Sequence, residues 1–171
     1  MELWEAIRKR RSIRKYKDKP VEEEKLNRVL EAGRLAPSAG NRQEWKYIVV
    51  RDKATRQKLA EAAHGQQFVA EAGVCLVCCG VEAEHVMSCG QASYSIDVAI
   101  SVDHITLAAA AEGLGTCWIG AFNEAPVKKL LGIPDKVRVV ALLPLGYPDM
   151  EPKPRSRKPL SEIVCQERWS D

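Results

Sequence analysis

The chain has 171 residues, 46% of them hydrophobic and 29% charged, with a formal net charge of +3. That make-up fits a soluble globular domain with a sizeable core, and the charge is too small to mark a nucleic-acid binder by itself. The longest apolar stretch, 96–111, carries Asp97, Asp103 and His104, which argues against a membrane span.

Leu3, Trp4 and Ile7 share one face of a short opening helix. Arg8, Lys9, Arg10 and Arg11 fall at its C-terminal end, where cations complement the helix dipole. After Pro20, the acidic start Glu22, Glu23, Glu24 and the series Leu26, Val29, Leu30, Gly33 predict a second helix. It should stop near Ala36, because Pro37 disfavours helical geometry before it. Residues 46–50 read as a strand, and 53–63 as a helix with Leu59, Ala62 and Ala63 inward. Residues 74–79 are continuously apolar, which predicts a strand buried on both faces. Residues 82–91 are polar and irregular, in keeping with a loop over a site.

A long helix follows over 94–112, apolar nearly all round. A single small domain has too little interior to bury it, so a homodimer is expected. Gly113 and Gly115 break this helix, and 116–119 predicts a short strand ending at Gly120 and Ala121. Asn123 is a candidate cap for a helix with Val127, Leu130 and Leu131 inward, closed by Gly132 and Pro134. Residues 137–145 read as a strand in which Pro144 points to an edge or a bulge. From Pro148, prolines alternate with Lys153, Arg155, Arg157 and Lys158, so 148–171 reads as an extended arm of one domain spanning 1–171. Leu160, Ile163, Val164 and Trp169 on that arm call for a surface, and a partner subunit would supply it. Helices and strands alternate with irregular spacing, which predicts an α+β fold around a mixed sheet.

Glu2 and Glu5 occupy the first turn and no apolar segment follows the basic residues, so no secretory signal and a cytoplasmic location are expected. The six cysteines are then expected as thiols. Cys75 and Cys78 have metal-like spacing, but within a strand positions three apart face opposite ways, so no metal site is expected. His64 and His104 stand without further ligands in view, and Cys117 has no visible base. Trp118 reads as core rather than as a stacking wall, and Cys165 on the arm is placed to meet its symmetry mate.

Two segments carry the chemistry. Arg10-Arg11-Ser12-Ile13-Arg14 offers cations and a hydroxyl, and guanidinium groups suit phosphate because they fork and keep their charge. Arg155 and Arg157 offer the same at the other end of the chain. Ala36-Pro37-Ser38-Ala39-Gly40-Asn41-Arg42-Gln43 offers small polar and amide groups. Gly120 and Ala121, small residues at a strand end, let backbone N–H groups approach a flat ring. Together these meet the demands of a flavin mononucleotide, although a basic nucleic-acid-binding module using residues 8–19 stays open as an alternative.

The order of four motifs resembles the FMN-dependent nitroreductase family in a short form. These are 10–16, 36–45, the run Gly113-Leu114-Gly115-Thr116-Cys117-Trp118-Ile119-Gly120-Ala121-Phe122, and Leu145-Gly146-Tyr147-Pro148 followed by 155–160. The resemblance implies an α+β sandwich dimer with an FMN at each of two interface sites. It implies phosphate and ribityl contacts from Arg10, Arg11 and Ser12, and late phosphate ligands in Arg155 and Arg157. Arg14 matches the position beside the flavin's pyrimidine edge and the incoming nicotinamide, where it would steady negative charge on the reduced ring. Ser38, Ala39, Asn41 and Gln43 match residues given by the other subunit, Gly120 and Ala121 match the strand end facing the flavin N5, and Gln67 falls near a further polar contact. The implied reaction is reduction of the flavin by NADH or NADPH, then of a nitroaromatic, quinone or similar small acceptor. Reductive dehalogenation or fragmentation of the flavin itself is the alternative within the family. Glu44 departs from the pattern, which has proline there in many members, and Gly120 replaces an acidic residue found in some.

Overall fold

The computed structural model describes residues 1–170 and is organised around a strand with no exposed residue. Strands β1 (Trp45–Val50), β2 (Val74–Gly80), β3 (Gly115–Thr116) and β4 (Arg138–Gly146) form one sheet in the order β1-β2-β4-β3. All three neighbouring pairs are antiparallel. The parallel component is a single bridge from Ser12 to Thr116.

Period-two alternation sorts β2 into two cores. Cys75, Val77 and Cys79 face one, with Leu59, Val69 and Val127. Val74, Leu76 and Cys78 face the other, with Leu26, Val29, Val98, Val102 and Ile105. Each fully buried leucine or valine contributes about 1.5–3 kcal/mol of transfer free energy, so the covered strand is the strongest specification in the fold. The first core is covered by α3 (Lys53–Ala62), α4 (Phe68–Glu71) and α6 (Glu124–Leu131), the second by α2 (Glu23–Arg34) and α5 (Ser93–Ala111). The register of β2 on β4 shifts between Cys78 and Cys79, whose partners Ala141 and Val139 leave Val140 over. A bulge of this kind kinks one strand and locally increases its twist.

Residue chemistry sets the element ends. The Asp52 carboxylate accepts from the Thr55 N–H at 2.7 Å and starts α3. Gly132, at φ 66°, ends α6 as expected, but Asn123 opens that helix without a side-chain cap. Pro144 is not on an edge, because β4 lies between β2 and β3. Its carbonyl accepts from Cys117 N–H at 3.3 Å, so its missing N–H lies on the side where β3 has already ended. The predicted strand over 116–119 is shorter, with β3 stopping at Thr116 and Ile119 keeping one bridge to Leu142.

Two apolar surfaces stay open in the single chain. On α1 (Leu3–Lys9) only Ala6 is buried, while Leu3, Trp4 and Ile7 are 64%, 70% and 43% exposed. On α5, Val98, Val102, Ile105 and Ala109 are buried, but Ile96, Ile100 and Leu107 are only partly covered. The arm beyond Met150 is exposed almost throughout, with one short 3-10 turn at Leu160–Glu162; Asp171, its last residue, lies outside the described residues. Among the described residues no helix is long and apolar enough to cross a membrane.

Candidate functional site

A groove of about 710 Å³ runs between the end of α1, the segment after it and the start of the arm. Arg8, Arg10, Arg11, Ser12, Arg14, Lys153, Arg155 and Arg157 line it, with Ile7, Met150, Pro152 and Pro154. No carboxylate is among these residues. Elsewhere four exposed arginines are neutralised: Arg28 pairs with Glu112, Arg34 with Glu31, Arg51 with Glu23 and Arg138 with Glu124. In the groove, Arg11 turns back to the carbonyls of Arg8 and Arg10 at 2.6 and 2.8 Å, and Arg157 to those of Arg155 and Ser156. Among the described residues none of the groove's arginines forms an ion pair. So many like charges repel one another unless an anion sits between them.

The fold fixes the floor of this groove. Ile13 N–H donates to Thr116 C=O at 2.9 Å, and Ser12 bridges Thr116, so residues 12–13 behave as an extra strand on β3. Gly115 allows the approach, since a Cβ there would lie 2.4 Å from Ile13 Cγ1. Arg14 N–H donates to Met150 Sδ at 3.4 Å, which ties the start of the arm to the same place. Cys117 comes next to Ser12 and Arg14; burial pushes its thiol up, against the opposing pull of Arg14, Ser12 and Arg10. It stays a protonated thiol.

Ser38, Ala39, Asn41 and Gln43 are gathered elsewhere. They form a tight turn in which Gly40, Asn41 and Gln43 all have φ between 54° and 58°. Ser38 Oγ accepts from Gln43 N–H at 2.9 Å, and the buried Asp97 carboxylate accepts from Ala39 N–H at 3.1 Å. Asp97 lies near the start of α5, whereas Thr106 and Ala110, which border the cavity beside Arg10 and Arg11, lie near its end. From Asp97 to Ala110 the helix axis rises about 20 Å. One chain therefore holds the two predicted halves of the site at opposite ends of α5.

Gly120 and Ala121 are exposed where the strand runs out beyond Ile119. Gln66, not Gln67, reaches them: its Nε2 donates to Ala121 C=O at 3.3 Å and to Ala63 C=O at 3.0 Å. Gln67 accepts from Gln57 at 3.2 Å and lines a separate hollow with Tyr16, Arg56 and Glu71. Two adjacent glutamines are alike in sequence, and only the start of α4 at Phe68 decides which one faces the strand end. Trp118 is not core. It is 41% exposed, with its indole Nε1 3.8 Å from where a Cβ on Gly120 would stand. Lys153, from the basic run of the arm, also lines the groove, as does Met150, which nothing in its sequence context marks. Cys75 and Cys78 lie in different cores, and burial pushes the Cys75 thiol up to about 12.

The family model described as "Nitroreductase family" matches residues 7–83 and 89–147. The chain is 36% identical over 157 or more residues to two curated relatives, one of them the NADH dehydrogenase of Thermus thermophilus, matched over 196 residues, 93% of this chain and 93% of that one. It is 32% identical over 185 residues to the FMN reductase [NAD(P)H] of Bacillus subtilis, covering 98% of this chain and 74% of that one. Among solved structures, a nitroreductase family protein from Clostridium novyi superposes with a TM-score of 0.84 at 38% identity, covering 91% of this chain and 89% of the other. The chain belongs to the nitroreductase family.

Proposed function

We propose that the chain is an NAD(P)H-dependent flavin oxidoreductase that holds FMN and passes its electrons to a nitroaromatic, a quinone or a similar small acceptor. The observation that carries this reading is the groove at residues 8–14 and 150–157, whose cations face one another with no carboxylate between them. Its residues fit FMN. A phosphate satisfies forked guanidinium donors, and the volume lies within the roughly 300–1,000 Å³ usual for cofactor sites. When bound, FMN supplies a ring that accepts hydride and returns electrons.

The protein's part is to bind, orient and steady charge. Arg10, Arg11, Ser12, Arg155 and Arg157 anchor the phosphate end. Gly120 and Ala121 bring small residues to the ring edge, with Gln66 holding the Ala121 carbonyl. Arg14, which also lines the groove, would steady negative charge on the polar edge of the bound ring. Ser38, Ala39, Asn41 and Gln43 come from a second copy of the chain, because their own copy holds them at the far end of α5. The site is thus completed by a homodimer. The 82–91 loop, the chain's short cover, would shape the space through which the acceptor comes to the bound cofactor.

The purified protein should be yellow. Its colour should bleach anaerobically on adding NADH or NADPH and return on adding a benzoquinone. A colourless protein that takes up no added FMN would overturn the reading.

A further inference from the structure

One buried carboxylate joins segments that are distant in the chain. Glu44 is 0% exposed. Its Oε2 accepts from Ser93 Oγ at 2.6 Å, at the first residue of α5. Its Oε1 lies 3.0 Å from His85 Nδ1 and also accepts from Arg42 Nε. His85 Nδ1 also lies 2.7 Å from Ser93 Oγ. Ser93 gives its one hydroxyl proton to Glu44 and a carboxylate only accepts, so Nδ1 carries the proton and donates to Ser93 Oγ and Glu44 Oε1 together. The second arm of the Arg42 guanidinium pairs with Glu82. Main-chain bonds run alongside: Val81 N–H donates to Glu44 C=O at 2.9 Å, and Ser93 N–H to His85 C=O at 3.1 Å.

The segments so joined are the 38–43 turn and the 82–91 loop. The turn needs holding. Asn41 and Gln43 are left-handed without being glycine, a conformation that persists only where surroundings enforce it. Ser38 and Asp97 hold its first half, and Glu44, through Arg42, holds its second. The loop has few other ties, with His85, Glu82 and the short bridge from Val86 to Ala92 as its anchors. Burial pushes the Glu44 carboxyl up, but Ser93, Arg42 and His85 together hold it below the usual carboxylate range, so it stays charged and fully bonded.

We propose that Glu44 is a positioning residue for the oxidoreductase reaction, acting through Arg42 and His85 to lock the 82–91 loop against the 38–43 turn and so to shape the acceptor's entry to the flavin. The proposal rests on the reading that this turn lines the flavin bound by the partner subunit. Glutamine at position 44 keeps the shape but sets an NH2 donor among three donors, which frees both segments together.

The test uses the full-length FMN-loaded protein, with NADH as donor and a benzoquinone as acceptor. In Glu44→Gln, KM for the quinone should rise about tenfold, while flavin reduction by NADH without acceptor stays within about twofold. Amide hydrogen exchange should quicken about tenfold in 38–43 and 82–91 together and stay unchanged in β2. His85→Ala should repeat the pattern, and His85→Asn, whose amide can donate where Nδ1 did, should restore it. This pair decides the matter if Glu44→Gln does not fold. Unchanged KM and unchanged exchange in an FMN-loaded variant overturn the positioning role and leave the flavin reading standing. Wild-type protein that takes up no FMN overturns the flavin reading and this role with it.

Discussion

Arg14 shows how a single residue's surroundings separate binding from chemistry. Its backbone is fixed by Met150, but its side chain is exposed, and among the described residues it forms no ion pair. On the proposed reading the phosphate has other cations in the groove to meet it, namely Arg10, Arg11, Arg155 and Arg157. Charge that develops on the ring edge has fewer. Losing Arg14 should therefore weaken FMN binding little and slow flavin reduction more. We expect Arg14→Ala to reduce the stopped-flow reduction rate on the order of tenfold, less than the hundredfold or more lost with a preorganised buried donor. Reduction at the wild-type rate in the FMN-loaded variant would remove Arg14 from this role.

At the level of elements, the cationic segment has no element of its own and depends on β3 for its position. Residues 12–13 pair with Thr116, and Gly115 leaves room for Ile13 to lie across the strand. A methyl at Gly115 would meet the Ile13 side chain at 2.4 and 2.8 Å and Pro148 at 3.1 Å. Ile13 is buried and β-branched, so it has little freedom to move aside. Gly115→Ala should lower stability by about 1–3 kcal/mol and weaken FMN binding, since Arg10 and Arg14 would be displaced with Ile13. Denaturation and FMN titration read the two effects, and a variant matching wild type in both would show that the segment is held by other means.

The same contrast explains what was legible in the sequence. β2 was readable because its continuous apolar run reports burial on both faces, and α2, α3 and α5 because their apolar residues recur at helical spacing on the faces turned to the cores. The motifs around Arg10, Ser38 and Arg155 were readable as chemistry. The exposure of Trp118 was not, because β3 ends two residues earlier and two flanking core residues, Cys117 and Ile119, look alike to a residue between them that turns outward. Nor was the role of Glu44, whose three side-chain partners lie 2, 41 and 49 positions away. A buried carboxylate leaves no mark in a sequence until its donors are brought to it.

For the whole molecule, the unsatisfied features point the same way. Leu3, Trp4 and Ile7 on α1, the partly covered flank of α5, and Leu160, Ile163 and Val164 on the arm are all apolar and open in one chain. Each would be covered by an arm or helix of a second copy, and exposed apolar surface of this extent is characteristic of interaction faces. On the proposed reading, the separation of the two half-sites along α5 adds a functional reason, since an FMN held by residues 10–14 of one copy would meet residues 38–43 of the other. Assembly and cofactor retention would then be one equilibrium, since whatever binds only the assembled form stabilises it by mass action. Placing aspartate at Leu160 and Val164 together should weaken the arm's docking by burying charge without a partner. We expect that variant to sediment as a monomer, to lose its yellow colour on gel filtration and to recover both when excess FMN is supplied at high protein concentration. A monomer that keeps FMN tightly bound through the column would show that a single chain completes the site.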